Sequence, residues 1–243
     1  MTYYDRIAWQ WHTATGHSGG AFKRFVLNDV LIKCIGDIDD SAILELAAGN
    51  GYFLPLLLRA RSGQIPRRIV VTDSSAALLR IAEGEFQVAS AIYQQLDVRS
   101  GFPFSTKSFD LVIAVMLFNE LSDGAVRRAL SECSRVLTDS GRLVGAVIHS
   151  DFVTSLNRRG ELHKDEWGKI TMPGSDGLRL PLVPRSQKRY EGLFREAGFE
   201  LRSTALRPTE VVLQVKPGLR HLGTSPIALA FEAHISDTTE KSA

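Results

Sequence analysis

Over the middle of the chain, short and nearly all-apolar runs alternate with stretches in which apolar residues recur at helical spacing. Residues 42–46, 68–72, 92–96, 110–115 and 143–148 read as strands. Residues 52–61, 75–83 and 124–137 read as helices between them, with Pro55 tolerated because it falls in a first turn. Strands lacking a polar face must be covered on both sides. The pattern therefore predicts an α/β fold, an open doubly wound and mostly parallel sheet whose crossovers are right-handed. A ligand of such a sheet lies beyond the carboxyl ends of its strands.

The flanks follow other patterns. Residues 1–20 carry Tyr3, Tyr4, Trp9, Trp11, His12 and His17, with Gly19 and Gly20 as a hinge, and 21–35 are helical in spacing; 1–40 thus form an N-terminal helical cover. The cofactor-binding core spans 41–150. Residues 151–188, with Gly160, Pro173, Gly174, Gly177, Pro181 and Pro184, lose all periodicity and read as an insert after strand five that completes an acceptor pocket. Residues 190–197 return to helix before Gly198, and 199–206 with 210–215 suit a closing antiparallel hairpin, so 189–243 form a C-terminal helix and hairpin. The tail from Ser236 is polar and expected to fray. The whole reads as a single domain over 1–243.

Composition narrows the function more than the fold. The 243 residues are 44% hydrophobic and 23% charged, enough to build a sizeable core. A net charge of +2 is too small for a nucleic-acid footprint, and the pairs Arg67-Arg68, Arg127-Arg128 and Arg158-Arg159 are scattered among acids. Cys34 and Cys133 form neither a metal-ligand spacing nor a disulfide framework. No apolar run approaches the roughly 18 residues of a membrane span, and the N-terminus carries no targeting signal. The expectation is a soluble cytoplasmic protein; oligomeric state is not legible.

The chemistry gathers at Glu45-Leu46-Ala47-Ala48-Gly49-Asn50-Gly51, where an apolar strand turns at once into a helix. Small residues let the backbone turn sharply and a ligand come close. The helix start adds unpaired N–H groups. A dinucleotide fingerprint needs a third glycine where Leu54 stands, which argues against a nicotinamide oxidoreductase.

The segment resembles motif I of class I S-adenosylmethionine-dependent methyltransferases, Asp/Glu-x-Gly-x-Gly-x-Gly. Glu45, Gly49 and Gly51 match, and Ala47 replaces the first glycine. Val70-Val71-Thr72-Asp73, Gln95-Leu96-Asp97-Val98, Phe109-Asp110-Leu111-Val112-Ile113 and the 136–143 segment follow in the family's order, so the resemblance covers residues 40–150 firmly and 192–206 more loosely. It implies a Rossmann-like fold and S-adenosyl-L-methionine as cofactor. By that resemblance Asp73 accepts the ribose hydroxyls, with Ser74 beside it. Asp97 accepts the adenine amino group, and the Val98 backbone meets the ring. Val115, Asn119 and Glu120 stand at the strand-four exit beside the methionine end, where Tyr4 from the cover closes the site. His149, directly after strand five, stands where relatives with small-molecule acceptors carry His-Pro-x-Phe, although Ser150 replaces the proline. His149, Glu120 and Asn119 are the candidate catalytic groups; Asn119 and Glu120 could equally cap the following turn, and His149 could equally bond a loop.

The expected activity is methyl transfer to a small-molecule acceptor, as in secondary metabolism. A nucleic-acid or protein methyltransferase stays open, although no Asn-Pro-Pro-Tyr or Pro-Cys motif follows strand four. So does a cyclase or binding protein that uses the cofactor only as a charge. Asp110 lies at the wrong end of its strand to serve a catechol-type metal site, so no metal is expected.

Overall fold

The computed structural model describes residues 2–236; residues 237–243 of the polar tail lie outside the described residues. The chain opens with α1 (Tyr3–Thr15), started by a reciprocal cap in which Thr2 Oγ1 accepts the Asp5 N–H while Asp5 Oδ2 accepts the Thr2 N–H. It continues through α2 (Gly20–Phe22), a π-helical turn over Lys23–Leu27 and α3 (Asn28–Ile35). The core then runs β1 (Ala42–Leu46), α4 (Phe53–Ala60), β2 (Arg68–Asp73), α5 (Ala76–Glu85), β3 (Ala91–Gln95), β4 (Phe109–Val115), α6 (Asp123–Val136) and β5 (Leu137–Ile148). After it come α7 (Ser150–Arg158), the short strands β6 (His163–Lys164), β7 (Ile170–Pro173) and β8 (Arg179–Pro181), then α8 (Gln187–Glu196), β9 (Phe199–Leu206), α9 (Glu210–Val215) and β10 (Ala228–Ile235).

The main sheet has the order β3-β2-β1-β4-β5-β10-β9. Its first five strands are parallel, and β10 lies antiparallel to both β5 and β9. This is a Rossmann-like sheet with a C-terminal antiparallel pair. The order reverses between β1 and β4, so a crevice opens above Leu46 and Val115. One face is sealed by α6 through Val126, Leu130 and Cys133 and by α8 through Phe194, which meets Phe118 and Phe231 edge to face, the other by α3 and α4 through Leu31, Ile35, Phe53 and Leu57.

Three expectations are corrected. Residues 210–215 form α9 rather than a strand: Thr209 caps it by accepting the Val212 N–H, and Val212 alone of that helix is fully buried. The real partner of β9 is β10, whose alanine-rich sequence does not read as a strand. Residues 151–188 are not loop-like, since α7 is followed by an antiparallel three-stranded sheet in the order β6-β7-β8. Finally, residues 139–141, the polar Asp139-Ser140-Gly141 expected as a turn that introduces strand five, run on as extended strand, a shift in the β4–β5 register between Phe109 and Leu111 absorbing the extra residues. Among the described residues no helix is long and apolar enough to cross a membrane.

Candidate functional site

The turn after β1 is held by its neighbour strand. Ala48 N–H bonds the Thr72 carbonyl at 2.9 Å, and Gly49 N–H bonds Asp73 Oδ2 at 2.8 Å. Ala47, Gly49 and Gly51 all have positive φ, at 51°, 63° and 82°. Ala47 therefore sits where its β-carbon is disfavoured, by about 1–2 kcal/mol. Met116, at the opposite lip of the crevice, is likewise left-handed with φ 61°. Strained backbone on both sides of one crevice is a pattern of ligand sites. Gly51 has a different reason. A β-carbon there would stand 2.6 Å from Ala82 Cβ, so this glycine lets α5 pack against the turn, and it does not face the crevice.

Above the turn lies a cavity of about 1560 Å³. Glu45, Ala47, Gly49, Asp73, Ser74, Asp97, Val98, Val115, Glu120 and Tyr4 all line it. Asp73 is buried and accepts two backbone N–H groups, from Gly49 and from Ser75, each at 2.8 Å. Burial pushes its carboxyl up to about 6 against the pull of those bonds. The role of capping α5 falls to Ser75, which leaves the remaining Asp73 lone pairs facing the cavity. Asp97 is forked by Arg99, with Nε 2.8 Å and Nη2 2.6 Å from its oxygens, and these bonds hold its carboxyl below the ordinary range.

The roof comes from outside the core. α1 is fastened by Asp5 Oδ1, which accepts from Ser75 Oγ at 2.7 Å and from the Ala77 N–H, and by Tyr3, whose hydroxyl donates to the Arg179 carbonyl. The Arg6 guanidinium lies 5.2 Å above the Trp167 ring, joining α1 to the loop between β6 and β7. Trp11 and Tyr4 meet edge to face, and Trp11 Nε1 lies 3.2 Å from the place a Gly49 β-carbon would take.

Under this roof sits a charged cluster. Tyr4 donates to Glu120 Oε1 at 2.6 Å. The Lys23 ammonium lies 5.1 Å from the Trp11 ring and 5.2 Å from the Tyr52 ring. Glu45 is only 3% exposed, and its Oε2 has no hydrogen-bond partner. Burial raises both the Glu45 and the Glu120 carboxyls to about 8 and lowers the Lys23 ammonium to about 8. Replacing Tyr4 by phenylalanine removes the donor to Glu120. We expect a loss of about 1 kcal/mol in denaturant unfolding, and a Glu120 proton held to still higher pH in carboxyl-labelled spectroscopy.

Three predicted residues do not join the site. Gly51 packs on α5, as above. Asn119 is buried, and its carbonyl accepts the Val183 N–H at 2.7 Å, tying the strand-four exit to the segment after β8. His149 caps α7: its Nδ1 accepts the Asp151 N–H at 3.1 Å, and burial lowers its pKa. Neither lines the cavity. Two further residues shape the site. Tyr52 forms a wall of the Lys23 cage, signalled only by an aromatic ring just after the glycine turn. Arg185 is buried and clamps the strand-four exit, with Nε on Asp123 Oδ1 at 2.7 Å, Nη1 on the Phe118 carbonyl at 2.8 Å, and Nη2 on the Leu121 carbonyl. Among the described residues no group of three His, Cys, Asp or Glu is placed to hold a metal.

Comparison with known proteins agrees with this geometry. Residues 43–141 match the family model described as a methyltransferase domain. The chain is 36% identical over 120 residues to a demethylmenaquinone methyltransferase of Thermotoga maritima; the match spans 47% of this chain and 46% of that protein, about half the length of each. In fold it resembles an S-adenosylmethionine-dependent methyltransferase of Mesorhizobium loti, with a TM-score of 0.67 and 17% identity over 90% of this chain and 99% of that one. It also resembles DhpI in complex with SAH, with a TM-score of 0.61 and 15% identity over 96% and 94% of the two chains.

Proposed function

We propose that this chain, which belongs to the class I S-adenosylmethionine-dependent methyltransferase superfamily and takes S-adenosylmethionine as its cofactor, transfers the methyl group to a small, largely apolar acceptor. The observation that carries this reading is the roofed cavity itself. Its volume exceeds the roughly 300–1,000 Å³ that one drug-sized ligand needs, so a second molecule fits beside the cofactor. Tyr3, Ile7, Trp167, Ile170, Pro181 and Leu182 supply a mostly apolar part of the cavity lining, suited to a small apolar acceptor. The likeness to an enzyme named for demethylmenaquinone supports an acceptor of this kind.

The residues present fit the cofactor. Asp73 would hold the ribose hydroxyls, and Asp97 with the Val98 backbone would hold the adenine. The bare backbone at Gly49 would admit the ligand, and the unpartnered Glu45 oxygen could accept from a positive group on it. When bound, the cofactor supplies a methyl group already activated by a positive sulfur. What remains for the chain is alignment and exclusion of water. Holding two reactants in line can be worth on the order of 7–11 kcal/mol. α1 and the β6–β8 sheet, which touch through Tyr3–Arg179 and Arg6–Trp167, are the elements placed to limit solvent there. Glu120, bonded to Tyr4, would take up a proton from the acceptor once ionised, which burial delays to about pH 8.

Titration calorimetry with S-adenosylmethionine and, separately, with NAD tests the reading. Heat is expected with the first only. Absence of heat from S-adenosylmethionine with a folded protein overturns it. Transfer of labelled methyl to a panel of phenols and hydroquinones then tests the acceptor class, and labelling confined to RNA or protein would refute that part.

A further inference from the structure

The insert's side of the cavity is richer in cations than in acids. Arg6 on α1, Lys164 on β6, Lys169 in the β6–β7 loop and Arg179 on β8 all line it, and among the described residues none of the four enters an ion pair. Arg99, the remaining arginine of the lining, is spent on Asp97. The acids on the insert's side are Asp165 and Glu166. Asp165 Oδ1 already accepts the Trp167 and Lys169 N–H groups, at 3.0 and 2.8 Å, which turn the β6–β7 loop.

Two of the cations are held in place with donors to spare. The Arg6 guanidinium lies 5.2 Å from the Trp167 ring centre and 5.9 Å from that of Tyr3. A flat cation stacked on a ring keeps its N–H edge open. Arg179 Nη2 donates to the Glu161 and Thr171 carbonyls at 2.8 and 2.7 Å, and its Nε to Thr171 Oγ1 at 3.3 Å. Those bonds fix the side chain across β6 and β7, and they leave Nη1 without an acceptor among the described residues. Tyr3 touches both arginines, the ring meeting Arg6 and the hydroxyl donating to the Arg179 carbonyl. Burial, first of all, raises the pKa of that hydroxyl; Glu120 and Asp165 add to the rise, while Arg6 and Arg179 oppose it, so both guanidiniums act on one oxygen.

We infer that Arg6 and Arg179 form a carboxylate subsite, so that the methyl acceptor is an acid with an apolar body, its carboxylate at the two guanidiniums and its apolar part along Ile7, Ile170 and Leu182. This narrows the acceptor reading above and rests on it. A guanidinium edge presents paired N–H donors that match the two oxygens of a carboxylate. A single negative charge suits the site, because a phosphate dianion would meet Asp165 and Glu166 with twice the repulsion. Both arginines stand outside residues 43–141, the part of the chain shared with the methyltransferase domain, on the elements that cover the cavity.

Calorimetry on the chain saturated with S-adenosylhomocysteine tests this with two matched pairs, p-hydroxyphenylpropanoate against p-hydroxyphenylpropanol and hexanoate against hexanol. The acid should bind about 3- to 10-fold more tightly than its alcohol, the range of one or two charge pairs at a rim, and the margin should narrow in high salt. Arg6→Gln should erase most of that margin, and Arg6→Glu should reverse it. Arg6 is exposed, so its loss strands no buried partner and both variants should keep the native circular dichroism. Arg179→Gln should also cut the margin, although it unties β6 from β8 as well. Acid and alcohol binding equally in both pairs, no binding of either acid, or a margin untouched by Arg6→Glu would overturn the inference. So would tighter binding of p-hydroxyphenylpropyl phosphate than of the carboxylate, which would mark a site for a dianion. No heat from S-adenosylhomocysteine itself would remove the cofactor reading instead, and the same pairs titrated into the unloaded chain would still decide the subsite.

Discussion

Asp73→Ala should weaken S-adenosylmethionine binding by about 30- to 150-fold, equivalent to roughly 2–3 kcal/mol. Two losses combine. The carboxylate facing the cavity disappears, and with it the acceptor that fixes the Gly49 and Ser75 N–H groups. Without the Gly49 bond, the left-handed turn loses a tether that offsets its strain. Asp73→Asn keeps an oxygen for one N–H group but not for both, so its affinity should fall between the two. Calorimetry on protein of native circular dichroism is the check. Unchanged affinity in the alanine variant would place the adenosine elsewhere than over β2.

Arg185→Met should lower the stability by about 3 kcal/mol, since three hydrogen bonds to a buried charged group vanish together. For a chain of this size that corresponds to a drop of roughly 6–12 °C in Tm. Asp123 is not left alone, because Arg189 still reaches it at 2.6 Å and solvent screens it. The larger cost falls on the Phe118 and Leu121 carbonyls, which lose their donor. These carbonyls bracket Glu120, so loosening them should raise the KM for the acceptor more than the Kd for the cofactor. Lysine at 185 should rescue little, because an ammonium cannot fork across three acceptors. Thermal unfolding followed by circular dichroism decides the first claim, and a stability within 1 kcal/mol of the native chain would refute it.

The core was readable because its chemistry is local. The buried strands β1, β2 and β4 carry runs that no helix could hide, and the glycine turn declares its geometry in a few residues. The same logic explains the failures. β10 has alanine at three of its eight positions, and it is a strand because β5 and β9 flank it on either side, a fact of tertiary pairing that no window of sequence contains. Glu210–Val215 is rich in valine yet helical, because the hydroxyl of Thr209 starts the turn. β6 is only two residues long, too short to show any period. At the site, Asp73 and Glu45 were legible from their place at strand ends. Asn119 and His149 stand at strand exits too, yet neither lines the cavity: His149 is turned to cap α7, and the Asn119 side chain is buried elsewhere. Whether a residue at a strand exit faces inward is decided by the next turn of chain, as Ser150 in place of a proline already warned.

All three tryptophans, Trp9, Trp11 and Trp167, belong to the cover, on α1 and in the β6–β7 loop, and none lies in the sheet core. Their ultraviolet emission therefore reports the cover, while ellipticity near 220 nm reports mostly the sheet and its flanking helices. Trp9 and Trp167, 67% and 59% exposed, sense solvent directly, and the half-buried Trp11 senses the cavity wall. An optical melt of this chain followed only by emission would time the detachment of the lid and could be mistaken for loss of the whole fold. A gap between the two traces would measure how far the entrance opens before the scaffold gives way.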